Sequence, residues 1–202
     1  MDGQIIYTIS YGMVELPEGK MKSREGTVVD ADDLISSMVN TAKETSLELG
    51  KLEDMADNEK ENLFEILGLG ALKYFIIKVD PKESIDFNGN TGPFIQYTHA
   101  RIRSILRKAA LQGLEGKITD SAFNEKEREI IKILNAFPEK IQEGGKEHSP
   151  AIVANYAYEL AREFNQYYHE VSILKEENKD LLLQRLVLID SISGVLRKAM
   201  GM

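Results

Sequence analysis

A proline set just inside a helical run that carries no acid constrains this chain more than any other feature. Residues 92–108 read Gly92-Pro93-Phe94-Ile95-Gln96-Tyr97-Thr98-His99-Ala100-Arg101-Ile102-Arg103-Ser104-Ile105-Leu106-Arg107-Lys108. Proline near the start of a helix pre-sets φ and gives up a donor that the first turn could not use. Wound at ~100° per residue, the run separates into two neighbouring stripes. Ile95, Thr98, Ile102, Ile105, Leu106 and Ala109 form an apolar face that needs covering. Phe94, Tyr97, Arg101 and Lys108 form the second face, which carries rings and cations.

That second face is unusual because the chain as a whole is acidic, with a formal net charge of -8, yet no acid falls between Thr91 and Glu115. An aromatic and basic stripe beside a core face suits an unpaired base, whose plane stacks on rings while cations meet phosphate. The same pattern suits a helix whose rings pack under a neighbour while its arginines pair with surplus carboxylates. Composition alone favours the second reading, since charged faces usually only solvate.

With 202 residues the chain is long enough for a substantial core, in one domain or in one domain plus part of another. It has no cysteine, which excludes disulfides, thiolate metal sites and cysteine nucleophiles, and which fits a reducing, cytoplasmic setting. No apolar run reaches membrane length, and the opening Met1-Asp2-Gly3-Gln4 is no signal peptide, so no membrane partner is expected. The net negative charge argues against indiscriminate nucleic-acid binding and against DNA as a partner, while leaving room for a local basic strip.

The first thirty residues differ from the rest. Residues 4–10 alternate and carry Ile5, Ile6, Tyr7, Thr8 and Ile9, which predicts a strand; 13–16 and 26–29 predict two more short extended runs. So few strands need a larger sheet to join, and an unpartnered strand makes self-association an expected hazard. After Val29 the pattern turns helical. Asp30, Asp32 and Asp33 put negative charge at a helix start, and Leu34, Ile35, Met38, Val39 and Ala42 share a face. A second helix is expected over 58–79, apolar on most sides through Leu63, Phe64, Leu67, Ala71, Leu72, Phe75 and Ile76, and therefore buried. Pro81 ends it, 84–88 reads as an extended link, and 89–92 as a turn.

Three helices should follow the one that starts at Pro93. The first covers 124–143, with Ile130, Ile131, Leu134, Phe137 and Ile141 inward and an end or kink at Phe137 imposed by Pro138; Gly144-Gly145 then breaks the chain. The second starts at Ser149-Pro150 and runs to about Val171. Tyr156, Leu160, Phe164 and Tyr167 recur on it at helical spacing, while Tyr168 and His169 fall off that stripe, toward a ligand or solvent. Asn178 caps the last, with Leu181, Leu182, Leu186, Ile189, Ile192, Val195 and Leu196 inward. Four helices with short links predict an antiparallel bundle, and the chain is mainly α.

A second chemical feature is the stretch Gly19-Lys20-Met21-Lys22-Ser23-Arg24-Glu25-Gly26, in which three cations and a hydroxyl lie between glycines. Mobile ammonium groups on a loop can follow a polyphosphate, although the Walker-type phosphate loop is not matched. A solvated basic turn explains the same residues. The three histidines have no metal-ligand spacing, so no metal centre is expected, and no complete catalytic constellation is present.

Taken in order, these segments resemble the C-terminal part of an arginyl-tRNA synthetase, a class I aminoacyl-tRNA synthetase. Residues 16–29 look like its K-M-S-K-S-type signature loop and following strand; Gly70-Ala71-Leu72-Lys73-Tyr74-Phe75 resembles its Asp-Ala-Leu-Arg-Tyr-Phe helix. Ile85-Asp86-Phe87 resembles the segment after it, and 91–108 is similar to the Gly-Pro-Tyr/Phe-x-Gln-Tyr-x-His-Ala-Arg helix that opens the DALR anticodon-binding bundle. The resemblance implies a remnant of a class I catalytic domain, with a small stranded part, over 1–88, and an anticodon-binding bundle over 89–202. It implies that Lys20, Met21, Lys22 and Ser23 steady ATP phosphates, with Mg, in the full-length enzyme; Ser23 stands where the pattern has its second lysine. It further implies that Phe94 and Tyr97 contact the anticodon of arginine tRNA; Arg101, which follows on the same stripe, Lys108 as a phosphate contact and Tyr168 at the end of its helix complete the candidate tRNA-binding residues. The His-Ile-Gly-His-type motif is missing, so the chain alone is expected to be an inactive fragment holding no ATP, cut from a monomeric arginine–tRNA ligase. Family members usually continue past the last helix to a terminal methionine near the anticodon; with Met200-Gly201-Met202 as the end, that contact is expected to be absent. The competing reading is an acidic helical protein-interaction module without RNA specificity.

Overall fold

The computed structural model describes residues 15–16, 19–20, 30–48, 55–78 and 92–201. Along the chain come β1 (Glu15–Leu16), β2 (Gly19–Lys20), α1 (Ala31–Glu48), α2 (Asp57–Ile77), α3 (Gly92–Leu111), α4 (Glu125–Asn135), α5 (Phe137–Lys146), α6 (Pro150–Glu170), a 3-10 turn (Ile173–Lys175) and α7 (Lys179–Met200). β1 and β2 pair antiparallel, Glu15 opposite Lys20 and Leu16 opposite Gly19. The strands expected over 4–10 and 26–29 lie outside the described residues. So do Met21, Lys22 and Ser23, and the link and turn read over 84–91.

Asp30 starts α1 as its charge suggests: its Oδ1 accepts the Asp32 N–H at 3.0 Å and its carbonyl the Leu34 N–H at 3.0 Å. Leu34, Ile35, Met38, Val39 and Ala42 are half-buried, and α1 packs along α2. The two backbones approach closely because Gly68 offers no side chain; a Cβ there would lie 2.7 Å from the Val39 Cα. On α2, Phe64, Leu67 and Leu72 are buried as expected, and Tyr74, outside the expected set, is buried with them. Burial on most sides, however, is not what α2 shows. Ile66 and Ile76 are half exposed, because α1, α3 and α6 leave one flank of the helix outward among the described residues. Its C-terminal end is stitched to α6: the Tyr74 hydroxyl donates to the Ala154 carbonyl at 3.2 Å, and Asn155 Nδ2 to the Lys78 carbonyl at 3.1 Å.

The main core lies where α3, α6 and α7 meet. Ile95, Ile102, Ile105 and Ala109 of α3 are buried with Leu160, Ala161 and Phe164 of α6 and Leu186, Ile189 and Ile192 of α7. Thr98 shares that burial and Leu106 packs at its margin, so the apolar face read for 92–109 is the face the bundle uses. Asn178 caps α7 through its side chain, which accepts from the N–H groups of Asp180 and Leu181. Ser149 occupies the N-cap of α6 with Pro150 following, but its side chain makes no cap bond.

Between α3 and α6 the helix expected over 124–143 is two helices. α4 stops at Asn135, and Pro138 sits in the first turn of a new helix, where its missing N–H costs nothing, instead of ending an old one. The Tyr156 hydroxyl donates to the Ile133 carbonyl at 3.0 Å, satisfying one of the last acceptors of α4, and its ring stacks on Phe137 at 5.5 Å. Burial, then the charge of Glu159, pushes that hydroxyl up to about 12. Ile141 is exposed on α5, not inward. Gly144-Gly145 is likewise no break: both stay helical, and the turn comes at His148, with φ of 51°. Gly144 is small for a packing reason, since a Cβ there would meet Val153 Cγ2 at 3.2 Å and the Ser149 carbonyl at 3.3 Å. The bundle from α3 onward therefore has five α-helices, not four.

Candidate nucleic-acid interface

The stripe of rings and cations on α3 stands at the rim of this core, next to α6. Tyr97 is 41% exposed and Arg101 is exposed four residues on, one turn along the same face. Arg101 reaches across to α6, where its guanidinium carbon lies 5.3 Å from the centroid of the Tyr168 ring. That is within the range of a cation–π contact. Tyr168 is itself 38% exposed and stacks on the buried Phe164 at 6.0 Å, so its ring is held from behind. Tyr97, Arg101 and Tyr168 thus form an outward patch on adjacent helices.

Phe94 and Lys108, at the two ends of the stripe, are placed differently. Phe94 is half-buried against the core, with its ring 5.3 Å from that of Tyr158 at an angle of 45°. Lys108 is exposed in the last turn of α3, seven residues beyond Arg101 and hence ~10 Å along the axis. Of the other cations, Arg103 pairs with Asp190 of α7 at 3.3 Å, away from the patch. Lys20 belongs to β2, while Met21, Lys22 and Ser23 fall outside the described residues. Among the described residues no group of three or more acids and histidines is placed to hold a metal ion.

Sequence reading missed two residues of this neighbourhood, Tyr158 and Asn165. Asn165 is 9% exposed and accepts a hydrogen bond from Arg101 Nη1 on its Oδ1. Its amide donates to Thr98 Oγ1 at 2.6 Å and to the Ala161 carbonyl at 2.8 Å. One signal was available: asparagine is a poor choice inside a helix, so an Asn beside an apolar stripe has a partner elsewhere. Behind the patch, His99 Nδ1 lies 3.2 Å from Ser193 Oγ on α7. Burial holds the imidazole below its ordinary value against the opposing bond from Ser193, with Arg103 and Arg197 adding to the depression.

A helical bundle opens with Pro93 in the first turn of α3 and carries a ring-and-cation patch shared by α3 and α6. The chain belongs to the DALR anticodon binding domain family, whose pattern matches residues 95–202. It is 56% identical to the arginine–tRNA ligase of Parabacteroides distasonis over 99% of its own length and 35% of that protein's. With the arginine–tRNA ligase of Flavobacterium psychrophilum it shares 52% identity, over 96% of this chain and 33% of the relative. The fold resembles that of the Thermus thermophilus arginyl-tRNA synthetase, at a TM-score of 0.79 and 30% identity, over 95% of this chain and 34% of that one. The Plasmodium falciparum arginyl-tRNA synthetase shares the fold at a TM-score of 0.71 and 23% identity, over 95% of this chain and 33% of that one. The chain therefore spans about a third of the length of the relatives it matches, the third that carries the DALR bundle. An acidic interaction module without RNA specificity finds no support in these likenesses. No helix among the described residues is long and apolar enough to cross a membrane.

Proposed function

We propose that this chain is the anticodon-binding part of a cytoplasmic, monomeric arginine–tRNA ligase. In this reading Tyr97, Arg101 and Tyr168 form the surface that meets the anticodon of arginine tRNA. Phe94 closes the patch at the start of α3, and Lys108 meets phosphate at its far end. The observation that carries this is the Arg101–Tyr168 contact, a cation at 5.3 Å from a ring on the neighbouring helix. Stacked and charged groups exposed together suit a splayed base and its phosphate.

Residues 1–88 are read as the end of the catalytic region, with a small stranded part, and 89–202 as the anticodon-binding bundle. Lys20, Met21, Lys22 and Ser23 would steady the ATP phosphates, with Mg, during arginylation by the whole protein. The chain alone is expected to be inactive and to hold no ATP. No DNA or membrane partner is expected, and self-association through an unpaired strand is the expected side reaction.

Filter binding at low salt, where phosphate contacts are strongest, tests the reading with arginine tRNA and an anticodon-altered version. Preferential retention of the unaltered RNA is expected, and equal retention overturns it. ATP–pyrophosphate exchange with arginine and tRNA tests the expected inactivity, which measurable exchange would overturn.

A further inference from the structure

We propose that Asn165 is a positioning residue for anticodon binding, holding the Arg101 guanidinium on the Tyr168 ring before RNA arrives. The proposal rests on the reading of the Tyr97–Arg101–Tyr168 patch given above and deepens it.

A carboxamide has two N–H donors and one oxygen acceptor, and which way it points is fixed by its neighbours. Both donors of Asn165 are used, one by Thr98 Oγ1 at 2.6 Å and one by the Ala161 carbonyl at 2.8 Å. The Thr98 hydroxyl cannot reverse the first of these bonds. Its single hydrogen goes to the Phe94 carbonyl at 2.8 Å, so toward Asn165 it can only accept. The amide therefore has one orientation, with Oδ1 turned to the exposed side, where Arg101 Nη1 donates to it.

The guanidinium is held twice, by this oxygen at one N–H and by the Tyr168 ring at 5.3 Å. One of its five N–H groups is used by Asn165, which leaves donors for a base edge or a phosphate. An arginine free in solution loses rotamer entropy when it is fixed on a ligand. An arginine ordered beforehand has already lost much of it. Asn165 is nearly buried and Thr98 is 1% exposed. Both act on RNA only through Arg101.

Tests use the 202-residue chain and arginine tRNA, with helix content and unfolding curves checked for each variant. Asn165→Ala should weaken binding roughly 3- to 10-fold, the loss expected when one rotamer-rich side chain must be ordered on binding. Thr98→Val should weaken binding in the same direction, and Thr98→Ser should restore it. Added to Arg101→Ala, Asn165→Ala should cost little more. A folded Asn165→Ala chain that binds like the parent overturns the proposal, as does an equal loss with and without Arg101. If Arg101→Ala alone leaves binding unchanged, the patch reading fails and the proposal with it. Arginine side-chain nitrogen relaxation on the unaltered chain needs no variant to fold. There Arg101 should be ordered and the exposed Arg107 mobile, and equal mobility of the two overturns the proposal.

Discussion

Glu127 Oε1 accepts a hydrogen bond from Arg185 Nε at 2.6 Å in the interior of the bundle, tying the first turn of α4 to α7. Glu127 is fully buried and Arg185 nearly so. The same oxygen takes the Tyr167 hydroxyl at 2.9 Å, and burial, then the Glu127 charge, raises that phenol. Oε2 closes a capping box with the Asn124 N–H at 2.8 Å, and Arg185 Nη1 reaches Glu176 at 2.5 Å. A buried carboxylate with this many partners is costly to strand. Arg185→Met should destabilise the chain by about 3–5 kcal/mol, measured by urea unfolding, because it leaves the Glu127 charge without its ion partner. Arg128→Met, on the exposed side of α4, should stay within about 0.5 kcal/mol.

The two stripes of α3 should separate stability from binding. Ile102 is fully buried, so Ile102→Ala should cost about 2–5 kcal/mol of unfolding free energy. Tyr97→Ala removes an exposed ring and should change stability by no more than about 0.5 kcal/mol. Retention of arginine tRNA should rank the two in the opposite order, with Tyr97→Ala losing about 1–3 kcal/mol of affinity if a base stacks there. A Tyr97→Ala chain that unfolds like Ile102→Ala would place that ring in the core.

Two glycines inside helices should respond to alanine with opposite signs. At Gly68 a Cβ would lie 2.7 Å from Val39 Cα and 2.8 Å from Val39 N, both backbone atoms that cannot step aside. Gly68→Ala must push α1 from α2 and should cost about 1–3 kcal/mol despite the better helix propensity. At Gly194 in α7 nothing lies within 4 Å. Gly194→Ala should therefore stabilise the chain by about 0.5–1 kcal/mol. Thermal unfolding of the two variants checks the pair.

Where sequence and structure agree, local periodicity and capping chemistry were sufficient. Pro93, the inward set Ile95, Thr98, Ile102, Ile105 and Ala109, and the Asn178 cap all depend on residues within a turn or two of each other. The break at Asn135 was misplaced because Pro138 is compatible with a helix start as well as a helix end. Ile76 and Ile141 read as inward on periodicity, yet exposure depends on which neighbours cover a face. For the candidate site, the stripe of Tyr97 and Arg101 was legible, and Tyr168 stood out as off the apolar stripe of α6. Their meeting was not legible, since the Arg101–Asn165 bond spans 64 positions and depends on how α3 and α6 pack.

Acidification should weaken the bundle in two stages. The folded pKa of His99 lies below its ordinary value of about 6.5, chiefly because it is buried between α3 and α7. Between those two values the unfolded chain binds the extra proton, so this stability is full above about 6.5 and falls as pH drops toward the folded value. Glu163 is held below the ordinary carboxylate range first by the hydrogen bond from Lys126, and Glu176 first by the Asn178 backbone N–H. Their contribution is present above about 4.5 and is lost as pH falls through their folded values. Melting curves taken from pH 8 to pH 3 should show both declines. His99→Gln should flatten the first and leave the second, and an unchanged profile in that variant would assign the upper stage to another group.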